Sequence, residues 1–342
     1  MNVLTQSMPT AALATQTMQA ILQTTYGTAE TLHLGTHARP RIGKSEVLIQ
    51  VRAAGMDRGT WHLMVGKPYI MRLALGFKGP KNPVPGLDLA GTVVEIGAAV
   101  TRFKVGDEVF GISKGSFAHY ACAREDKLAR KPSHLTFAQA AVMGVSGLTA
   151  LQALRDAGKV QAGQRVLITG ASGGVGSYAV QLAKSFGAVV TGVCSTAKLE
   201  RVRALGASRV IDYTREDFAS GDERYELIID IAGNSPLKRL RQVLTATGTI
   251  VFVGGEDGGA LTGGMDRQLG AMFRSLFSKQ RFVMKPPNEN AADLEVLAQL
   301  AEAGKFTPAI DSTWPLARVP EAMRQLVAGK VTGKVVITVP GA

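Results

Sequence analysis

Residues 169–176 read Thr-Gly-Ala-Ser-Gly-Gly-Val-Gly, between the apolar run "RVLI" and the helix-like "SYAVQLAKSFGA". Ala171, Gly173 and Gly176 fall at the spacing with which a strand-to-helix turn brings its backbone against a pyrophosphate, alanine standing at the first glycine position. Backbone N–H groups and the positive end of the next helix dipole would meet the phosphate charge. A chain that binds NAD places an acidic residue for the ribose hydroxyl about 20 residues further on. This chain offers "CSTAK" there: Cys194, Ser195, Thr196 and, past Ala197, Lys198. Hydroxyls followed by a cation suit a 2′-phosphate, which makes NADPH the expected cofactor. The competing reading is a tight turn without a ligand, with Lys198 merely opening the next helix toward solvent.

Reducing a carbonyl with a nicotinamide hydride requires a group that stabilises charge on oxygen, either a Lewis-acid metal or a proton donor. Cys122 and Cys194 are isolated, and His33, His37, His62, His119 and His134 show no metal-ligand spacing. None of Tyr26, Tyr69, Tyr120, Tyr178, Tyr213 and Tyr225 is followed four residues later by lysine, the pairing that short-chain reductases use. What remains is hydride transfer to an acceptor that delocalises its own charge, a quinone or an α,β-unsaturated carbonyl. The protein then contributes proximity and orientation.

The elements that must hold these groups can be followed along the chain. At 342 residues it exceeds the roughly 250–300 at which single cores stop growing, so two domains are expected. Up to about residue 125 it is mostly β, with "EVLIQVRAAGM", "AGTVVEIG", "GDEVFGI" and "GSFAHYACA" punctuated by glycine. Beyond a boundary near 145 strands and helices alternate: "RVLITG", "SYAVQLAKSFGA", "VVTGVCS", "KLERVRALGA", "RVIDY", "LIIDIAG", "LKRLRQVL" and "TIVFVGG". After about 285 come two helices, "DLEVLAQLAEAGK" and "PEAMRQLVAGK", and a closing strand "KVVITV" that is expected to return to the first domain.

The net charge of +12 is dispersed, its densest runs interleaved with apolar residues, so no nucleic-acid partner is expected. No stretch approaches the ~20 apolar residues of a membrane span. Two lone cysteines fit the cytoplasm. Residues 1–17 hold no basic residue and read as a flexible tail rather than a targeting segment.

The stretches "VPGLDLAGTVVEIGAAVTRFKVGDEVFG", "SGLTALQAL", "VLITGASGGVGSYAVQLAKSFGA", "LGASRVIDY" and "GKVVITV" resemble the medium-chain dehydrogenase/reductase superfamily, in its zinc-independent quinone oxidoreductase branch. The resemblance implies an α/β chain. A GroES-like β-rich catalytic domain over 18–144, completed by 286–342, would clasp a Rossmann doubly wound parallel sheet over 145–285. It also implies roles by position. Ser172, Gly174 and Val175 would face the pyrophosphate, Ser195 and Lys198 the 2′-phosphate, Tyr213 the adenosine end and Thr149 the nicotinamide side. Gly254 would join this cofactor-binding set, and Asp57 with Thr60 would form the catalytic pair. Metal-bearing relatives place zinc ligands in a segment like "AAGMDRGTWH", in a Gly-His-Glu motif and before a "GLTA"-like helix start. Here those places read Asp57, "GLD" with Leu87 for histidine, and Val145.

Quinone reductases often carry asparagine where Asp57 stands, and an anion there would oppose negative charge growing on a substrate oxygen. Asp57 could be protonated and donate, or form a salt bridge with Arg58. The segment 60–82 should border the substrate opening, or else pack Trp61, Met64, Tyr69 and Met71 into a core. The expected function is NADPH-dependent, zinc-independent reduction of a quinone or activated enone. Its competitors are an enoyl-thioester reductase, an alcohol or aldehyde dehydrogenase, and a non-catalytic NADPH-binding protein. "TIVFVGG" could end in a strand that pairs across a homodimer.

Overall fold

The computed structural model describes residues 16–255, 259, 261–275, 278–284 and 286–340. Most of the tail read over residues 1–17 lies outside them, but Thr17 already opens a strand. The β-rich part is formed by β1 (Thr17–Leu22), β2 (His33–Ala38), β3 (Glu46–Met56), β4 (Asp88–Ile96), β5 (Glu108–Ile112), β6 (Tyr120–Arg124) and β7 (Leu128–Arg130). The α/β part follows with β8 (Arg165–Thr169), β9 (Val189–Cys194), β10 (Arg209–Asp212), β11 (Tyr225–Asp230), β12 (Leu244–Phe252) and β13 (Arg281–Met284). Two last strands, β14 (Ile310–Pro315) and β15 (Lys334–Thr338), close the chain.

β8–β13 form a parallel sheet in the order β10-β9-β8-β11-β12-β13. Residues Val166–Ile168 and Leu227–Ile229 are buried on both faces, the continuous apolar run that a parallel sheet between helices requires. The chain order reverses between β8 and β11, so the crevice outside their carboxyl ends is where such a sheet accepts a ligand. "TIVFVGG" is not an edge: β12 lies between β11 and β13, and its ladder groups are spent inside the sheet rather than on a second copy.

The other large sheet runs β14-β15-β3-β4-β5-β7, with β6 also on β3. β15 pairs antiparallel with β3, setting Val335 opposite Met56 and Val336 opposite Gly55. The last strand is thereby built against the strand that ends one residue before Asp57. Val335 and Ile337 share a core with Val47, Ile49, Val51, Ala54 and Met56. A second, larger core joins the two halves, with Leu148, Leu151 and Leu294 packed together with Phe110 and Val166.

Polar bonds set the glycine loop against the closing strand. The Gly333 N–H donates to the Ser172 carbonyl at 2.8 Å, and the Tyr178 hydroxyl donates to the Val142 carbonyl at 2.9 Å. Gln181, on the helix Gly174–Ser185, exchanges two hydrogen bonds with the backbone of Thr307. Within the loop Gly170 is left-handed, with φ of 67°. A Cβ on Gly176 would stand 2.1 Å from the Gly170 carbonyl oxygen. Gly176→Ala is therefore expected to lower stability by about 1–3 kcal/mol and to weaken coenzyme binding, read by denaturant midpoint and by fluorescence titration. An unchanged midpoint would contradict the close approach.

Candidate active site

Two cavities of about 630 and 570 Å³ share walls at Gly170, Gly173, Lys198, Ala232 and Asn234, and so form one groove along the strand ends. One end lies at Tyr213 and Arg215, the other at Asp57 and Ser146. The groove is lined by Asp57, Thr149, Ser172, Gly173, Gly174, Val175, Ser195, Lys198, Tyr213 and Gly254, all expected from the sequence. Four expected residues stand behind the wall instead. Ala171 is fully buried in the core, which is why alanine is tolerated at a glycine position: its methyl faces away from the groove. Gly176 is one turn into the helix and packs on Gly170. Thr196 turns to Asp212, its hydroxyl 2.5 Å from Oδ2. Thr60 is buried, and its N–H caps the helix Arg58–Val65 by donating to Asp57 Oδ1 at 3.0 Å, a positioning rather than a catalytic placement.

The end expected to hold adenosine departs in detail from the sequence reading. The Lys198 ammonium donates to the carbonyls of Gly329 at 3.0 Å and Val331 at 2.8 Å, tying the parallel sheet to the C-terminal lobe. Partial burial pulls its pKa below the ordinary lysine value. Two of its three N–H donors are thus engaged, and one is left for a ligand. Arg215, 75 % exposed and 3.7 Å from Asp212, lies in the same wall. Asp212 itself is buried and does not line the groove. Its Oδ1 accepts the Thr214 N–H and hydroxyl, and its Oδ2 accepts from Thr196.

At the other end lies a cluster that the sequence reading missed. The Lys334 Nζ is fully buried and donates to Asp57 Oδ2 at 2.9 Å, Asp88 Oδ2 at 3.2 Å and Ser146 Oγ at 2.9 Å. The Val145 N–H donates to Asp88 Oδ1 at 2.8 Å. The open question over Asp57 is resolved by geometry: its ion pair is with Lys334 rather than Arg58, whose guanidinium lies over the Trp61 ring. Burial alone would raise the Asp57 pKa, but the Lys334 charge and the bonds from Lys334 and Thr60 outweigh it and hold the carboxyl below its ordinary value. Asp57 is therefore ionised, not a protonated donor. Asp88 goes the other way. Burial dominates over Lys334, the Asp57 charge adds to it, and its pKa is pushed up to about 6. One cation offsets one buried anion, and the second carboxyl bears the desolvation. Lys334 is raised despite burial, because it faces both carboxyls.

These residues do not fit a zinc ion. Asp57 and Asp88 share an ammonium, while Leu87 and Val145 present apolar side chains where ligands would be needed. Among the described residues no three His, Cys, Asp or Glu side chains come together as a metal site. The one available sequence signal for Lys334 was a lysine heading an otherwise buried strand, "KVVIT". The segment 60–82 divides: Met64 is core, Tyr69, Met71 and Phe77 are exposed, and His62 with Arg58 borders the groove.

Comparison with known proteins gives a consistent picture. The family description "Alcohol dehydrogenase GroES-like domain" matches residues 43–133, and "Zinc-binding dehydrogenase" matches residues 205–337. A quinone-oxidoreductase homolog of the spinach chloroplast (Spinacia oleracea) is 32% identical, over 95% of this chain and 99% of that protein. A chloroplastic NADPH-dependent alkenal/one oxidoreductase of Arabidopsis thaliana is 34% identical, over 94% of this chain and 79% of its own. The solved structure of the quinone oxidoreductase from Coxiella burnetii superposes with a TM-score of 0.82 at 29% identity, covering 94% of this chain and 99% of that one. No helix among the described residues is long and apolar enough to cross a membrane.

The cluster generates two expectations. Lys334→Met leaves two buried carboxyls without their cation and should cost about 3–5 kcal/mol, measured by denaturant unfolding; a loss below 1 kcal/mol would refute the pairing. Asp88 stays protonated in the fold up to about pH 6 while the unfolded chain ionises above 3.8. Stability relative to Asp88→Asn should therefore fall as pH rises from 4 to 7, by at most about 3 kcal/mol. A pH-independent difference in calorimetry would show that the carboxyl is not raised.

Proposed function

Because the chain belongs to the medium-chain dehydrogenase/reductase superfamily, in its quinone oxidoreductase-like branch, we propose that it transfers a hydride from NADPH to a quinone or an activated α,β-unsaturated carbonyl. The observation that carries this reading is the continuous groove. It leads from the glycine loop, at the start of the helix Gly174–Ser185, to a cavity ending on the Asp57–Ser146 wall. The coenzyme supplies the hydride. The residues along the groove bind and orient it: loop N–H groups for the pyrophosphate, and Val145, Thr149 and Val175 around the reacting end.

Preference for the phosphorylated coenzyme is supported by the far end. β9 ends at Cys194 without an acidic residue, Asp212 is held behind the wall by Thr196 and Thr214, and Arg215 with the remaining Lys198 donor lines the groove. The reaction as proposed uses no zinc, since the donor set around Lys334 cannot ligate one. We divide the chain at 144/145 and 285/286, and we take the cytoplasm as its compartment on the strength of the free thiols Cys122 and Cys194. No observation favours enoyl-thioester reduction, alcohol dehydrogenation or a non-catalytic role.

Steady-state assays with NADPH and NADH against a quinone, an enone and a primary alcohol test the reading. Turnover is expected with the first two acceptors and without added metal; zinc-dependent alcohol oxidation alone would overturn it. Arg215→Ala should raise KM for NADPH about tenfold or more, the loss of a charged hydrogen bond, while leaving NADH within twofold. Equal effects on both coenzymes would remove Arg215 from the phosphate site.

A further inference from the structure

Hydride transfer to an enone leaves an anion that needs a proton, and the cavity wall offers few groups with a proton to give. Asp57 is ionised. The Thr149 hydroxyl is spent on the Val145 carbonyl at 2.7 Å. Lys198 holds two carbonyls of the C-terminal lobe and its third donor is assigned above to the coenzyme phosphate. Ser146 differs from all of these. Its Oγ accepts from the Lys334 ammonium at 2.9 Å, so its own proton must point elsewhere. The acceptor within the protein, Asp57 Oδ2, is 3.4 Å away, a long contact for a hydroxyl. Ser146 therefore donates to Asp57 only through a weak bond, which an acceptor in the cavity that Ser146 lines can replace by rotation of the hydroxyl.

Lys334 cannot act directly. Its three N–H groups are all engaged and it does not line the cavity, whereas Ser146, although only 1 % exposed, does. Its charge and its protons reach the cavity through the serine oxygen.

We propose that Ser146 is a catalytic residue whose hydroxyl protonates the reduced substrate and is replenished from Lys334, with Asp57 and Asp88 as positioning residues that hold the ammonium. The inference rests on the functional reading given above. The hydride leaves the dihydronicotinamide with its electron pair and forms a C–H bond at the β-carbon, and the π pair moves onto the carbonyl to give an enolate. The enolate takes the Ser146 proton, the O–H pair stays on the serine oxygen, and that oxygen takes a proton from Lys334. After product leaves, water in the emptied cavity returns one proton through Ser146 to the lysine. The sum is one hydride from the coenzyme and one proton from solvent added across the double bond. The same pairing answers the charge objection to Asp57: beside Lys334 its carboxylate belongs to an internal ion pair rather than standing as a lone anion against the substrate oxygen.

Ser146→Ala in the full chain tests this, with an enone and with a quinone whose reduced anion is a far weaker base than an enolate. Expected are a fall in enone kcat of about 100-fold, the scale of general acid catalysis, a fall of less than tenfold with the quinone, unchanged NADPH affinity, and a lowered melting temperature from the Lys334 N–H left without its acceptor. The wild-type enone reaction should show a solvent deuterium isotope effect on kcat that changes in the variant. Enone kcat within twofold of wild type, or equal losses on both acceptors together with weakened NADPH binding, would overturn the proposal. So would the loss appearing in His62→Gln, the neighbouring donor on the groove, and not in Ser146→Ala. A wild-type protein that oxidises NADPH with neither acceptor would instead sink the functional reading, and this proposal with it.

Discussion

One buried ammonium shared by two carboxyls is the constraint around which the site is arranged. Lys334 comes from the last strand, Asp57 from the end of the third strand, Asp88 from the start of the fourth and Ser146 from the helix Gly144–Gln152. Four separate segments meet at a single nitrogen. A charge without surface exposure has no water to fall back on, so each segment must arrive in register for the cluster to be tolerable. The β15–β3 ladder and the bond from Gly333 to Ser172 fix that register on two sides. The glycine loop is drawn into the same arrangement: a Cβ on Gly174 would stand 3.0 Å from the lysine stem.

The two ends of the groove use cations differently. At the Tyr213–Arg215 end they are partly exposed and hold donors in reserve, which suits a ligand that brings its own charge. At the Asp57–Ser146 end the cation is sealed behind a hydroxyl, so the two ends offer a ligand charge to different degrees.

Much of this was legible in the sequence wherever the determinant was local. The turn around Gly173, the strand before it and the helix after it are defined by neighbours a few residues apart, as are the runs that became β9 and β12. The closing strand's return to the first sheet was also readable, from its separation from the α/β alternation. What escaped were pairings between remote residues. Asp57 and Lys334 lie 277 positions apart, and nothing near either announces the other. Arg58 was the plausible partner only because it is adjacent, and adjacency on a helix start points the two side chains apart. Thr196 and Ser195 look equivalent in sequence, but their environments separate them, because Asp212 lies on one side and the groove on the other.

That remoteness bears on how the chain is made. During vectorial synthesis the β-rich half emerges first, yet β3 gains its neighbour β15 only once residues 334–338 have left the ribosome. Until then residues 53–56 of β3, beyond the stretch paired with β6, are an open sheet edge, and two acids destined for the interior have no counter-ion. The nascent first half therefore waits for the last strand both to complete its sheet and to neutralise its buried acids.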